Sequence, residues 1–394
     1  MVSRRTFLTT SGLLASAVVG ATADSLVTRA LAQDRDTAVG GAMVRATGAH
    51  QAGIELELQS FARFIALDIK PSTDKPAMLR WMRLLSDDIE RLTAGSPALA
   101  EPTAVLSDTP ARLTVTLGFG STLFSKLGLE SQLPKGFGKL PMFKIDRLVE
   151  ADSDGDVLLH IATDNHLTLS HVARALVRDS EDFATIRWAH SGFTNAQGVS
   201  RPGETQRNLM GQVDGTDNPA LGSEDFANLV WISDGPDWAI GGTQLAFRKI
   251  RMELDTWESL STSDREGVIG RKLSNGAPLG GSSELDGPDF NAVGPGGLKV
   301  IPDFAHIRRA AGETMDERFF RRPFNYEEAR GSKTESGLLW TAYANDLSLR
   351  YIPVQERLAG FDLLNKWTTP VASATFVIPR GFAPGGVIAE ELFS

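Results

Sequence analysis

Cysteine is absent from this 394-residue chain. Its absence excludes disulfides, thiolate-bound zinc, iron–sulfur clusters, a cysteine nucleophile and thioether attachment of a haem. Histidine is scarce, with six residues, and tyrosine scarcer, with three. Any metal or prosthetic group must therefore be held by His, Asp, Glu, Tyr or Met, and the search for an imidazole ligand is short. Basic charge is also not in excess: 40 Lys and Arg face 49 Asp and Glu, for a formal net charge of −9. Nucleic-acid binders carry a basic patch that displaces counterions, so the balance gives no support to a nucleic-acid partner. Nor does any apolar run comfortably reach the roughly 20 residues of a membrane span. What is present, 42% hydrophobic and 23% charged residues, is the balance of a soluble globular protein with length for two ordinary domains.

The first 32 residues read as an export signal. Ser3-Arg4-Arg5-Thr6-Phe7-Leu8 opens an uncharged stretch to Ala23, and Ala30-Leu31-Ala32 offers a small-x-small cleavage site before Gln33. Basic, apolar and small-residue regions in that order define a bacterial signal, and the paired Arg resembles the twin-arginine type. The expected destination is periplasmic or extracellular. Twin-arginine export carries folded proteins, an indirect sign of a cofactor inserted beforehand.

Hydrophobic periodicity then gives one pattern twice. Ile54–Ile69 reads as a strand, and Pro76–Leu92 as a helix whose Met78, Trp81, Met82, Leu85, Ile89 and Leu92 share a face. Leu113–Leu117 and Val157–Ala162 read as strands, Leu167–Val177 as a helix and Phe183–Trp188 as a strand. In the second half, Ile240–Met252 is a strand and Trp257 lies on a short helix. Phe319–Tyr326 and Leu338–Tyr343 are strands, Val354–Trp367 is a helix and Ala372–Ile378 the last strand. A β-α-β-β-α-β order is ferredoxin-like. The expected class is therefore α+β, with two ferredoxin-like domains over 33–205 and 206–394, each an antiparallel sheet with helices on its face. Between Ser263 and Asp316 lies an irregular, Gly- and Pro-rich insertion, too long for an idle loop.

Three groups of residues could carry chemistry. Of the histidines, His160 falls in a strand, His171 on an amphipathic helix, and His50, His166 and His190 at lead-in or element ends; His306 alone lies in the insertion. Imidazole is the commonest protein ligand of haem iron, although a surface histidine beside Arg308 and Arg309 is the plainer reading of the local sequence. At the junction of the repeats, Gly211 and Gly215 bracket Asp214; glycine permits close approach of backbone to a flat ligand, and an Asp-Gly turn is the alternative. In Phe319-Phe320-Arg321-Arg322, strand alternation sends the two Arg to opposite faces, so that one points to the packed side.

Together these blocks resemble the dye-decolorising peroxidase family, with its periplasmic deferrochelatase/peroxidase branch. Gly211-x-x-Asp214-Gly215 followed by Thr216 and Asn218-Pro219 looks like that family's signature. Further blocks in order include His50-Gln51-Ala52-Gly53-Ile54, Thr205-x-Arg207-Asn208-Leu209-Met210, Gly270-Arg271 and Ala305-His306-x-Arg308-Arg309-Ala310. The resemblance runs from about residue 48 to the C-terminus. Gln212 departs from it, where a bulky apolar residue such as Phe is expected. The resemblance implies one haem b per chain in the C-terminal domain, with His306 as proximal iron ligand and Asp316 (or, second, Asp303) orienting its ring. It implies Asp214 and Arg321 as the catalytic pair, and Gly211, Gly215 and Arg322 as cofactor contacts. Hydrogen peroxide and small-molecule or dye reductants are the implied partners. Iron release from haem, a non-catalytic haem carrier, a homo-oligomer and an iron-uptake partner remain open.

Overall fold

A computed structural model describes residues 39–394 apart from 202 and 315; the export signal over 1–32 lies outside the described residues. The first half runs β1 (Phe61–Ile69), α1 (Lys75–Thr93), β2 (Thr114–Gly120), β3 (Val157–Thr163), α2 (His166–Ser180) and β4 (Ala184–Phe193). Helix α1 forms where the Asp74 carboxylate accepts from the Ala77 N–H at 2.9 Å and Pro76 stands in the first turn. Its apolar face, with Trp81, Met82 and Leu85, packs in one core with Leu117 and Leu159 of the sheet. The expected strand from Ile54 begins only at Phe61. The backbone before it turns, and side chains take its carbonyls: Arg322 bonds Leu56 O and Arg112 bonds Leu58 O, where a strand would use a neighbouring strand.

The second half repeats the order with β5 (Thr243–Met252), α3 (Thr262–Ile269), α4 (His306–Ala310), β6 (Phe320–Arg321), β7 (Phe324–Arg330), β8 (Lys333–Ala344), α5 (Ile352–Phe361) and β9 (Thr368–Ile378). Strand order is β4-β1-β3-β2 in the first half and β9-β5-β8-β7 in the second, the same ferredoxin-like arrangement, antiparallel throughout. The two sheets are not separate, however. Phe119↔Val377 joins β2 to β9 and Phe193↔Asn325 joins β4 to β7, so hydrogen bonding runs through one closed barrel. Closure removes the free sheet edges that each half alone would expose. Phe64, Trp188, Phe247, Phe324, Tyr343 and Phe376, drawn from both halves, fill the interior.

Period-two alternation on β5 sends Leu245 and Phe247 into that interior and Arg248, Ile250 and Met252 to the outer face. There the insertion, α4 and α5 stand over the sheet and enclose a cavity. The helix expected through Trp367 stops at Phe361. Asp362 is extended (φ −72°, ψ 120°) and its carboxylate accepts from the Leu364 N–H at 2.9 Å, capping a new 3₁₀ turn.

Candidate active site

The cavity has a volume of about 310 Å³ and is walled by both apolar and charged side chains. His306 is the first residue of α4. Its Nδ1 lies 2.6 Å from Asp362 Oδ2, and the Asp362 side chain is only 3% exposed. The Leu363 N–H donates to Phe304 O at 3.1 Å, tying the two segments together beside that contact. Asp362 therefore occupies the role expected of Asp316. Asp316 is exposed, its backbone carbonyl accepting from Arg350, and Asp303 is exposed and paired with Lys299 at 2.6 Å. Burial disfavours a charge on the His306 ring, but the charge and hydrogen bond of Asp362 outweigh it, with help from Asp214 and against Arg321. The result lies above the usual histidine value.

Asp214 reaches the same cavity from the junction segment. A bridge between Arg207 and Val213 closes a tight loop, and the Asp214 N–H donates to Gln206 O at 2.9 Å. Arg321 arrives on β6, in register with Ala342. Asn218 clamps it: the Asn218 amide donates to Arg321 O at 2.8 Å, and its Oδ1 accepts from the Arg321 N–H at 3.0 Å and Nε at 3.4 Å. Gly215 lines the cavity next to Asp214.

Two expected contacts lie away from it. Gly211 makes the turn instead, with φ +81° and its carbonyl accepting from Arg207 at 2.8 Å. Arg322 points the other way from Arg321, as alternation requires, and is buried against Leu56 O and Gln59 Oε1. With no carboxylate paired to it among the described residues, burial lowers its pKa to about 10, the largest cause, while Tyr343 opposes and Arg112 adds to the fall.

Arg248, Arg271 and Arg318 also line the cavity. Arg248 is buried, ion-paired with Asp146 and set over the Phe143 ring at 5.3 Å. Sequence reading passed over it because a cation inside a β-strand gives no periodic signal of its own. Gln212, the departure noted above, lines the cavity and accepts from Asn208 at 3.2 Å.

The donor set fits a haem. Because Nδ1 is committed to Asp362, Nε2 is the ring nitrogen left for a metal. Ile250, Met252, Phe290, Leu338 and Leu358 give an apolar wall to a flat ring, and the arginines offer cations to its carboxylates.

Comparison with known proteins agrees. Residues 51–194 match the family model for the Dyp-type peroxidase N-terminal domain, and residues 205–383 the C-terminal one. A dye-decolorizing peroxidase of Thermobifida fusca is 35% identical across 99% of this chain and 97% of that protein. A deferrochelatase of Escherichia coli is 33% identical across 84% and 82%. Among solved structures, a DyP-type peroxidase from Cellulomonas bogoriensis superposes with a TM-score of 0.88 at 43% identity, covering 91% of this chain and all of that one. DtpA from Streptomyces lividans, solved in ferric and oxyferrous forms, gives 0.86 at 34%, covering 90% of this chain. Fold and cavity are thus those of a haem-dependent peroxidase, an oxidoreductase. The chain belongs to the Dyp-type peroxidase family.

Proposed function

We propose that this chain reduces hydrogen peroxide and oxidises dyes, phenolic compounds or other one-electron donors, with His306 as proximal ligand and Asp214 and Arg321 as the catalytic pair. The observation that carries the reading is the convergence of His306, backed by Asp362, with Asp214 and Arg321 on one cavity. Haem held there would supply the redox-active iron at which peroxide is reduced and from which donors are oxidised one electron at a time. His306 Nε2 would hold the iron, while Asp362 fixes the ring's tautomer and makes it a stronger donor. The carboxylate of Asp214 would take the proton from one peroxide oxygen and deliver it to the other. The Arg321 guanidinium, held by Asn218, would stabilise the negative charge that develops as the O–O bond breaks.

Asp214→Ala is expected to lower the rate of reaction with peroxide by about 10²–10⁴-fold while the Soret band stays at full strength. An unchanged rate would remove Asp214 from the mechanism and favour a haem carrier, which needs His306 but neither Asp214 nor Arg321.

Deferrochelatase relatives support a second reading, release of iron from haem. Incubation with haem followed by an assay for metal-free porphyrin separates the two. The twin-arginine segment over 1–32 supports export to the periplasm or beyond, with the mature chain beginning at Gln33. N-terminal sequencing of the secreted product tests it.

A further inference from the structure

The loop that presents Asp214 contains one side-chain amide whose orientation is fully determined. Asn208 is buried, with 8% of its surface exposed. Its Oδ1 accepts from the Met210 N–H at 3.0 Å and the Gln212 N–H at 3.3 Å. Its own N–H donates to Gln212 O at 3.0 Å, and its carbonyl accepts from the Gly211 N–H at 2.9 Å. An amide oxygen bound by two backbone donors cannot exchange places with its nitrogen, so Nδ2 must face the other way. There it donates to Asp214 Oδ2 at 3.3 Å and Gln212 Oε1 at 3.2 Å. Oδ1 of Asp214 has no protein hydrogen bond among the described residues.

We propose that Asn208 is a positioning residue: its amide anchors Oδ2 of Asp214 and leaves Oδ1 as the oxygen that handles the proton. The proposal rests on the reading of Asp214 as the proton carrier. A donor on one carboxylate oxygen restrains the side-chain rotamer and distinguishes that oxygen from the other. Other titratable or charged groups around the same cavity are His306, Asp362, Arg248, Arg271, Arg318, Arg321, Asp217 and Glu317. None of them makes a hydrogen bond to the Asp214 side chain, so the Asn208 amide makes the one hydrogen bond to that carboxylate among the described residues.

Two substitutions in the haem-loaded protein separate this role from simple support of the turn. Asn208→Asp keeps an oxygen for the Met210 and Gln212 amides but replaces the donor with an acceptor. Asn208→Ser keeps a short acceptor for the turn and, with its single O–H on a shorter side chain, leaves no donor where Nδ2 faced Asp214. Two readouts are taken. One is the carboxylate infrared stretch of Asp214, assigned by its loss in Asp214→Asn; the other is the pH profile of the peroxide reaction. In both variants the stretch is expected to shift. In Asn208→Asp the acid limb of the profile should also move up by about one pH unit, as a second carboxylate beside the first disfavours its charge. A wild-type stretch and profile in Asn208→Asp, with full haem content, would overturn the proposal and leave Asn208 as a turn residue. A shifted stretch with an unmoved profile would uphold the anchoring of Asp214 and remove Asp214 from proton transfer. Should one variant fail to take up haem, the other carries the same comparison.

Discussion

The chemistry of the cavity depends on pairs of side chains in which one partner restrains the other. Asp362 is the clearest case, because its two oxygens do different work: Oδ1 caps the 3₁₀ turn at Leu364 and Oδ2 receives His306. Asp362→Asn keeps the cap and removes the charge. Replacing such a carboxylate partner commonly costs about 10–100-fold in metal affinity or activity. The less basic imidazole stabilises ferric iron less well, so the midpoint potential should rise. A redox titration alongside peroxide kinetics checks this; an unchanged potential and rate would show that Asp362 does not tune His306.

Helix α3 ends in close contact with α4, the helix that carries the histidine. Gly270 ends α3 in the left-handed region, φ +91°, with its N–H on Glu266 O at 2.7 Å. A Cβ there would lie 2.6 Å from Ile307, the neighbour of His306 on α4. Gly270→Ala thus meets both backbone strain and a steric push on the ligand's helix. The expected outcome is a loss of about 1–2 kcal/mol in stability together with reduced haem occupancy, read from the thermal midpoint and the ratio of Soret to protein absorbance. Full occupancy would show that α4 yields without moving the imidazole.

Closure of the barrel buries groups that neither half would bury alone. His160 on β3 stacks on Phe64 at 4.1 Å and meets Tyr343 of the other half at 3.4 Å. Its pKa falls to about 3, first through burial and then through Arg322. The unfolded ring titrates near 6.5, so between those values the unfolded chain holds the extra proton. Stability from this site is complete above pH 6.5 and is lost as pH falls toward 3. Denaturant midpoints between pH 7 and pH 5 should therefore fall more steeply in the wild type than in His160→Gln, by about one proton in the linkage slope at most. Glu328, lowered to about 2 chiefly by the His190 ring 3.7 Å away and then by Lys249, contributes only at more acid pH. Asp179, raised to about 7 by burial and Asp88, titrates in both proteins and cancels in the comparison. Equal slopes would mean that His160 is not held neutral.

The order of elements was legible along the chain because periodicity is local: a helix face or a strand's alternation needs only neighbours within a few positions. The same is true of the Gly-x-x-Asp-Gly turn and of a histidine standing alone in a long insertion. Asp362 was not legible as a partner, since it lies 56 residues from His306 within what reads as a helix. Alternation separated Arg321 from Arg322 but could not say which face held the cavity. Nor could it foresee that two sheets would close on each other, because the seams Phe119↔Val377 and Phe193↔Asn325 join residues whose spacing carries no local signal. Those outcomes come from packing between distant segments, where shape, burial and hydrogen-bond satisfaction across the whole fold choose the partner.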